Sequence, residues 1–307
     1  MVRLISINDL SLGSITEIIS LAKIYKYVMY KDPPKIKKDF IIGLMFFEAS
    51  TRTKYSFQTA IHKLGLKFLD YSHETSSSKK GESLQDTIST FECFCDLIII
   101  RHPNKNIFKE ITFKKPVINA GNGSDEHPTQ ALLDLFTIND LLHLSENLKI
   151  SFVGDIKYSR TVHSLVKLLE LFNKQYANIN YTYNFIGYDN LLDKDLENLV
   201  NLYTNKYSND DINNLIDFKP NIVYVTRIQK ERSGTIRDTD IIINGDILNK
   251  LPEKTILMHP LPRNNELDTS CDTNHRSKYF DQIKNGIFVR MAIIFKILSL
   301  DNSLNDQ

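Results

Sequence analysis

The sequence is poor in cysteine, with three cysteines among 307 residues, at positions 93, 95 and 271. A small, odd number of cysteines argues against a disulfide framework and is typical of a reducing compartment. Cys93 and Cys95 lie two residues apart in an apolar segment. We therefore expect both side chains on one face of a β-strand, as buried thiols rather than metal ligands.

Long apolar runs and a strong excess of charge are also missing. No run approaches the roughly 20 apolar residues that a membrane span requires. Residues 1–29 lack the charged start and small-residue cleavage site of a secretory signal. The 38 Lys and Arg residues nearly balance the 37 Asp and Glu residues, for a net charge of +1. These absences predict a soluble cytoplasmic protein with no membrane span and no nucleic-acid partner.

Nucleotide-binding and metal-binding motifs are absent as well. The sequence contains no G-x-x-x-x-G-K-[ST] loop and no G-x-G-x-x-G fingerprint, which disfavours ATP and NAD as ligands. No spacing of His, Cys and Asp residues is typical of a metal site. We therefore expect no cofactor and no metal ion.

Short apolar segments dominate what is present, and amphipathic stretches alternate with them. Most of these segments are continuously apolar, which is typical of parallel strands covered on both faces. The predicted strands are residues 40–47, 96–100, 115–120, 148–155, 181–188, 220–225 and 254–260. Helical spacing in residues 55–65 and 161–172 completes a strand–helix alternation that predicts an α/β fold.

The chain is long enough for two domains, each with a central parallel sheet flanked by helices. We place the boundary where a helix-like stretch ends and a new strand begins, which gives a first domain of residues 1–142 and a second of residues 143–286. The strongly apolar C-terminal helix, residues 287–307, is expected to open after Gly286 and to complete the first domain. The polar stretch 189–214 is predicted to be a surface helix and loop.

Basic residues follow the predicted strands at the points where the strands end. Five arginines each follow a different strand, and two histidines lie at the same rim: Arg52, Arg101, Arg160, Arg227, Arg263, His127 and His259. Ligands of parallel α/β sheets bind beyond the carboxyl ends of the strands. A single arginine there would be an ordinary solvated residue. Five of them predict a site for strongly anionic small molecules, because a guanidinium binds carboxylate or phosphate through two hydrogen bonds.

The first of these rim segments is Ser50-Thr51-Arg52-Thr53. Ser50 is the predicted N-cap of a helix over residues 54–64, with Gly65 as its terminator. A helix N-terminus binds anions, because it presents unpaired N–H groups and a partial positive charge. An N-cap alone explains Ser50 but not the three residues after it, so this segment is a predicted phosphate site.

Two further features have both a functional and an ordinary interpretation. His127 precedes Pro128 and a helix, where Arg101 and Thr53 should converge. It is a candidate donor to an oxygen that gains negative charge, or else a helix-entry histidine with a local hydrogen bond. The loop at residues 72–83, rich in Ser and Lys, is either a solvated loop or a lid that closes over an anion.

Three motifs in the expected order resemble the aspartate/ornithine carbamoyltransferase family nearly end to end. They are the segment 50–53, His127-Pro128-Thr129-Gln130 and His259-Pro260-Leu261-Pro262-Arg263, with Arg101 between the first two. Within the family, the segment 226–232, the HPLPR motif and the lack of an S-M-G motif resemble the aspartate-specific enzymes. The resemblance implies an active site in the cleft between two domains. It also implies transfer of a carbamoyl group from carbamoyl phosphate to L-aspartate, in pyrimidine synthesis.

The resemblance further implies a role for individual residues. Carbamoyl phosphate would contact Ser50, Thr51, Arg52, Thr53, Ser76, Lys80, Arg101, His127, Gln130, Pro260 and Leu261. L-Aspartate would contact Lys80, Arg160, Arg227, Gln229 and Leu261. The catalytic residues would be Thr53, Lys80, Arg101 and His127. Of these, the threonine, arginine and histidine would polarise the carbonyl group, and the lysine would touch both substrates.

In this family the loop that corresponds to Ser76 and Lys80 comes from the neighbouring subunit of a trimer, which implies a homotrimer with shared active sites. Whether separate regulatory chains also bind is left open by the sequence. Ala49 stands where the family often has proline, a change that removes no contact. The alternatives are a carbamoyltransferase for ornithine or another amino acid, and a non-catalytic anion-binding homologue.

Overall fold

A computed structural model describes residues 3–29, 31–33, 35–72, 81–142, 144, 147–175, 179–187, 196, 206–209, 212–227 and 241–302. The chain divides into two compact units. The first unit is Met1–Phe136 with Lys284–Gln307, and the second unit is Thr137–Ile283. Each unit contains a five-stranded sheet, so the predicted α/β fold with two parallel sheets is confirmed.

The first unit has the strand order β1-β5-β4-β2-β3, with every neighbouring pair parallel. Its strands are β1 (Arg3–Leu4), β2 (Ile41–Phe46), β3 (Lys67–Asp70), β4 (Leu97–His102) and β5 (Val117–Asn122). Its helices are α1 (Leu12–Lys23, continued by a π-helical turn over Ile24–Val28), α2 (Thr51–Lys63), α3 (Leu84–Phe94) and α4 (Ile107–Glu110). Met45 of β2 and Ile98 and Ile100 of β4 share a cluster with Ile88 of α3. The intervening Leu44 and Ile99, which point to the opposite face, are buried too, so both strands are continuously apolar.

The second unit has the strand order β10-β9-β6-β7-β8, again parallel throughout. Its strands are β6 (Lys149–Gly154), β7 (Thr182–Gly187), β8 (Lys206–Asn209), β9 (Ile222–Thr226) and β10 (Ile256–Met258). Its helices are α6 (Arg160–Gln175), α7 (Ile212–Phe218) and α8 (Gly245–Lys250). Two helices, α5 (Pro128–Leu141) and α9 (Tyr279–Asn302), run from one unit into the other.

All seven predicted strands are confirmed, and the predicted helical segments overlap α2 and α6. The sequence did not predict β1, β3 and β8. All three strands are short, and each lies at an edge of its sheet. Every residue of β3 is exposed. An edge strand needs no continuous apolar run, because it pairs on one side only.

The prediction that Cys93 and Cys95 share one face of a strand is wrong. Helix α3 extends to Phe94, so Cys93 lies in its last turn and is exposed, whereas Cys95 follows the helix and is buried. The apolar residues here span the end of a helix and the start of β4, and a short apolar run does not distinguish the two. All three cysteines are free thiols.

The polar stretch 189–214 was also predicted incorrectly in part. Residues 206–209 form β8, which pairs with β7, and residues 212–214 begin α7. Apart from Leu196, the rest of this stretch lies outside the described residues. The strand sequence Lys-Tyr-Ser-Asn is polar, so only its pairing with β7 identifies it as a strand.

The C-terminal helix α9 begins at Tyr279 rather than after Gly286. A Cβ atom on Gly286 would lie 2.5 Å from Nη1 of Arg290 and 3.1 Å from a methyl carbon of Leu133. The glycine is therefore required for close packing inside the helix and does not mark its start. Among the described helices, none combines the length and apolar character needed to cross a membrane.

Candidate active site

The carboxyl ends of β2 and β4 position Arg101 in the first unit. The two strands are neighbours, with Phe46 opposite Arg101, and the N–H of Phe47 donates to the Arg101 carbonyl oxygen at 2.9 Å. The Arg101 guanidinium forms an ion pair with Glu48, with Nε and Oε1 2.7 Å apart. The side chains of this pair are 13% and 21% exposed, so the cation is held at the rim with part of its surface accessible.

Helix α2 begins directly after this rim, with Ser50 as its N-cap residue. Ser50 has extended backbone angles, and its carbonyl accepts from the N–H of Lys54 at 3.2 Å. Its hydroxyl, however, makes no capping hydrogen bond. The N-cap position is thus confirmed, but the first-turn N–H groups lack the side-chain cap that serine usually supplies. Such a terminus is suited to an external anion.

Thr53 and His127 lie together in the first unit. Oγ1 of Thr53 and Nε2 of His127 are 3.5 Å apart, and the two residues are 6% and 3% exposed. On the other side of the ring, Nδ1 of His127 lies 3.5 Å from Oγ1 of Thr129. The histidine therefore has both the contact with Thr53 expected of a functional residue and a local contact at the start of α5. Long hydrogen bonds of this kind often tighten when a substrate binds.

Gln130 is oriented by a carboxylate that the sequence did not single out. Nε2 of Gln130 donates to Oδ1 of Asp134 at 2.9 Å, one turn further along α5. Asp134 is fully buried. Because the amide nitrogen is occupied by Asp134, the amide oxygen Oε1 is the atom available to accept a hydrogen bond from an NH₂ group. The contact could have been predicted, because Gln130 and Asp134 are four residues apart in a segment expected to be helical.

The segment that leads into His127 is fixed by its own contacts. Glu126 accepts hydrogen bonds from the Ser6 hydroxyl at 2.8 Å and from the Ile7 N–H at 2.9 Å. Gly123 has a φ of +48°, and a Cβ there would lie 2.7 Å from the Pro103 carbonyl oxygen. The hydrogen bonds of Glu126 and the close approach of Gly123 to Pro103 hold the segment before α5 in one position.

In the second unit, β6 and β9 bring together two segments that are far apart in the chain. Gly154 pairs with Thr226, and its φ of +115° is open to glycine alone. A Cβ atom at this position would lie 2.1 Å from the Thr226 carbonyl oxygen. Beyond this pair, the hydroxyls of Ser159 and Thr226 lie 3.1 Å apart, and both residues are buried.

This contact brings the start of α6 next to the end of β9. Arg160 directly follows Ser159 and begins α6, and Arg227 directly follows Thr226 at the end of β9. Arg160 is 7% exposed, so an anion that it binds would be largely shielded from water. Of the predicted aspartate-binding residues, Arg160 and Arg227 thus each directly follow one of the two residues in this contact. The third, Gln229, lies outside the described residues, as do Ser76 and Lys80.

The HPLPR segment follows β10 and forms a turn around a buried histidine. Nδ1 of His259 accepts from the Leu261 N–H at 2.8 Å, and its Nε2 lies 3.0 Å from Oε1 of Glu266. Glu266 Oε1 also accepts from the Asn264 N–H at 2.9 Å. Burial raises the pKa of the Glu266 carboxyl, but hydrogen bonds from His259 and Asn264 outweigh this and leave the pKa below its ordinary value. Pro260 and Leu261 are half-buried, so this part of the turn is accessible.

Arg263, the last of the five rim arginines, is engaged with an acidic partner. Its Nη2 donates to Oδ2 of Asp272 at 2.8 Å, and the Tyr279 hydroxyl binds the same carboxylate. The hydrogen bond from Arg263 lowers the pKa of Asp272 to about 2. This arginine therefore stabilises the end of the HPLPR turn. Within the described part of the chain, no group of three or more His, Cys, Asp or Glu side chains is placed to hold a metal ion.

Two family models match the chain. The carbamoyl-P binding domain of aspartate/ornithine carbamoyltransferase matches residues 3–140, and the Asp/Orn binding domain matches residues 146–297. The aspartate carbamoyltransferase catalytic subunit of Wigglesworthia glossinidia brevipalpis is 39% identical over 308 residues, which cover 97% of this chain and 96% of that protein. The multifunctional protein CAD of Squalus acanthias is 36% identical over 312 residues, but the chain spans only 13% of its length.

The fold is similar to that of a solved enzyme. Aspartate transcarbamoylase from Trypanosoma cruzi in complex with carbamoyl phosphate and aspartate matches with a TM-score of 0.85 and 34% identity, over 95% of each chain. The same enzyme in complex with N-(phosphonacetyl)-L-aspartic acid also has a TM-score of 0.85, at 35% identity, over 95% of this chain and 94% of that one.

Proposed function

Because the chain belongs to the aspartate/ornithine carbamoyltransferase family, we propose that it transfers the carbamoyl group of carbamoyl phosphate to the amine of L-aspartate. The products are N-carbamoyl-L-aspartate and phosphate, in an early step of de novo pyrimidine biosynthesis. The aspartate carbamoyltransferase of W. glossinidia, similar over nearly the whole of both chains, supports this reaction. The T. cruzi complex with both substrates supports the same choice of substrates.

The observation that carries the proposal is the arrangement at the start of α2. An uncapped helix N-terminus follows β2, the neighbour of the strand that bears Arg101. It lies in the same unit as the contact between Thr53 and His127. Ser50, Thr51, Arg52 and Thr53 bind the phosphate group through hydroxyls, the guanidinium and the first-turn N–H groups. A phosphate at this position directs the adjoining carbonyl group towards Thr53 and His127.

Carbonyl polarisation is assigned to Thr53, Arg101 and His127. All three present donors to an oxygen that becomes negatively charged when the amine attacks, and stabilising this charge lowers the barrier. Arg101 bridges the phosphate and the carbonyl oxygen. It has Glu48 as an ion-pair partner in the described structure, so the cation is already oriented and largely buried before carbamoyl phosphate binds.

Two acceptors hold the carbamoyl NH₂ group. One is Oε1 of Gln130, which the Asp134 contact leaves available, and the other is the carbonyl oxygen of Pro260. Leu261 contributes its backbone to both substrates. The amide of the substrate is thus fixed in plane, with its carbon open to attack from one side.

L-Aspartate is bound by Arg160, Arg227 and Gln229. Two carboxylates require cations, and the proposal is supported by the Ser159–Thr226 contact, which joins the two segments that carry these arginines. The distal amine of ornithine would instead require an acidic pocket, so this cation pair favours aspartate over ornithine. The neutral aspartate amine attacks the carbonyl carbon, a C–N bond forms, and the bond to phosphate oxygen breaks as phosphate leaves and the amine loses a proton. Positioning and electrostatics supply much of the rate.

The domains of the proposal are a carbamoyl-phosphate domain, residues 1–142 with the helix 287–307, and an aspartate domain, residues 143–286. The active enzyme is a cytoplasmic homotrimer in which Ser76 and Lys80 act on the neighbouring subunit's site. Support comes from β3, the exposed edge strand that precedes their loop, where Phe68 and Leu69 are 37% and 40% exposed. The proposal requires no second type of chain.

Subunit sharing is tested with mixed trimers. Chains carrying Lys80→Ala are mixed with chains carrying Arg52→Ala, and mixed oligomers are isolated by two affinity tags. Recovery of part of the wild-type activity is expected, because one site in such a trimer combines two intact halves. Demonstrably mixed trimers without recovered activity would contradict sharing.

The reaction is tested by assaying carbamoylation of L-aspartate and L-ornithine by the purified protein under identical conditions. We expect turnover of aspartate and little turnover of ornithine. Equal or greater turnover of ornithine would overturn the choice of substrate. Binding of carbamoyl phosphate without turnover of either amino acid would indicate the non-catalytic homologue instead.

A further inference from the structure

His259 and Glu266 are buried, titratable and unused by the proposed contacts with substrate. They are 1% and 3% exposed, and they lie 3.0 Å apart beneath the turn that carries Pro260 and Leu261. Substrate cannot reach either side chain directly, whereas the two residues of the turn are half-buried and accessible. Any effect of the pair on the reaction must therefore pass through the backbone of the turn.

The hydrogen bonds determine which nitrogen of His259 carries the proton. The N–H of Leu261 is an obligatory donor, and it points to Nδ1 at 2.8 Å, so Nδ1 must be unprotonated. The proton of the neutral ring is then on Nε2, from which it is donated to the Glu266 carboxylate. The carboxylate therefore selects the tautomer that can accept from Leu261, as a hydrogen-bonded partner does for many functional histidines.

Leu261 needs such an anchor. Its φ is +54°, in the left-handed region where a residue other than glycine is strained and persists only when its surroundings hold it. The backbone N–H of Leu261 itself donates to His259, so this hydrogen bond acts directly on the backbone conformation of Leu261.

The pair also fixes both ends of the turn. Glu266 accepts from the N–H of Asn264 at 2.9 Å, on the far side of the turn from His259. The N–H of His259 in turn donates to Oε1 of Gln282 at 3.0 Å, on the buried part of α9. The start of the turn is thus hydrogen-bonded to α9 through Gln282. The Glu266 carboxylate connects the two ends of the turn by binding both His259 and Asn264.

We propose that His259 and Glu266 are positioning residues that hold the Pro260 carbonyl and the Leu261 backbone in the geometry that binds the carbamoyl NH₂ group and L-aspartate. The proposal rests on the function given above, because it assumes that these backbone groups contact substrate. The histidine acts by accepting from Leu261, and the glutamate acts by keeping that acceptor available. Neither residue touches the reacting atoms.

Two substitutions of His259 separate the two hydrogen bonds of the ring. In His259→Asn, the side-chain oxygen occupies roughly the place of Nδ1 and keeps an acceptor for Leu261, but the side chain is too short to reach Glu266. In His259→Gln, the longer side chain reaches towards Glu266 and provides no acceptor at the Nδ1 position. We expect His259→Gln to lower kcat/KM for L-aspartate by about 10- to 100-fold, and His259→Asn to retain most of the activity.

Glu266 provides a second, independent comparison. Glu266→Gln keeps an oxygen that accepts from both His259 and Asn264, so its kinetic constants should stay within about threefold of wild type. Glu266→Ala removes both contacts and should resemble His259→Gln. Phosphate binding, which uses α2 in the first unit, should be unchanged in all four variants and is measured by calorimetry with inorganic phosphate.

Thr255→Val is the matched control for loss of stability. Its hydroxyl donates to the Pro220 carbonyl oxygen at 2.6 Å, it is 1% exposed, and it lies at the other end of β10 from the turn. This variant should lower the melting temperature while leaving kcat and KM unchanged.

The outcomes are distinct. Activity that follows the melting temperature alone across all five variants, or a His259→Gln enzyme equal to His259→Asn, would overturn the positioning role. Failure of the wild-type protein to carbamoylate L-aspartate would instead reject the proposed function, before any variant is compared.

Discussion

The hydroxyl oxygens of Ser159 and Thr226 lie 3.1 Å apart, although the two residues are 67 positions apart in the chain. Each residue directly precedes an arginine of the proposed aspartate site. Because both hydroxyls are buried, the loss of one leaves the other with one hydrogen-bond partner fewer in the interior. The contact therefore joins the two segments that carry these arginines through one hydrogen bond in the interior of the second unit.

Thr226→Val should weaken the binding of L-aspartate. The substitution keeps the shape of the side chain but leaves the buried Ser159 hydroxyl with one partner fewer, at a cost of about 1–3 kcal/mol that falls partly on the positions of the two arginines. We expect KM for L-aspartate to rise about tenfold, with KM for carbamoyl phosphate unchanged. Steady-state kinetics with each substrate varied in turn gives both constants.

The matched control is Thr161→Val, which removes the other hydroxyl near Ser159, 3.0 Å away at the start of α6. It should leave KM for L-aspartate near wild type. Ser159→Ala combined with Thr226→Val should be no worse than the more damaging single change, since both act on one contact. Additive effects would show that the two hydroxyls act independently.

His127→Ala should reduce kcat by about 10²-fold or more, which is typical of the loss of a donor to a developing oxyanion. The ring lies beside Thr53 and is 3% exposed, so solvent cannot easily replace it. Initial-rate assays at saturating substrate measure the effect. His62→Ala, at an exposed histidine in the last turn of α2, serves as the control and should leave kcat unchanged. A His127→Ala enzyme with normal kcat would favour the local, structural role of this residue.

Gly154→Ala should destabilise the second unit by about 3 kcal/mol or more. The glycine combines a φ of +115° with an approach to the Thr226 carbonyl oxygen that leaves 2.1 Å for a Cβ atom. Denaturant unfolding followed by circular dichroism gives the free energy. Gly13→Ala, in α1, meets no atom closer than 3.8 Å and should be neutral or stabilise by roughly 0.5–1 kcal/mol. Equal stability of both variants would be inconsistent with the close approach.

Glu170 predicts a specific dependence of stability on pH. Burial raises the pKa of its carboxyl above the ordinary 4.5, against the opposing hydrogen bonds from Tyr183 and Asn173. An acid whose pKa is higher in the folded protein carries a free-energy cost in the folded state. This cost is absent below pH 4.5, grows as the pH rises towards the folded pKa, and is complete above it.

The measurement compares Glu170→Gln with wild type by denaturant unfolding between about pH 4.5 and pH 8. Any effect of the glutamine amide that does not depend on pH leaves the slope of this free-energy difference against pH unchanged. The difference in free energy of unfolding should move in favour of the variant as the pH rises, and a flat difference would mean that Glu170 has the same pKa in the folded and unfolded chains.

Much of the fold followed from the sequence alone. The seven apolar strands are visible because parallel strands covered on both faces must be apolar throughout. Helix α2 is visible because Ser50 and Gly65 mark its ends. The helix start that the proposal uses as an anion site was also predictable locally, since strand, cap and first helical turn are consecutive in the chain. The placement of arginines after successive strands predicts a cationic rim, because the carboxyl ends of parallel strands in one sheet meet at one edge.

The tertiary structure alone decided everything that depends on partners distant in sequence. The edge strand β8 is recognised only by its pairing with β7, because its own sequence is polar. The exposure of Cys93 depends on where α3 ends. Two contacts near the proposed site show the difference. Gln130 and Asp134 are four residues apart on one helix, so helical spacing predicts their contact. Ser159 and Thr226 are 67 residues apart, and no spacing predicts theirs. Such a contact exists because two neighbouring strands end side by side, and no local pattern of residues encodes that.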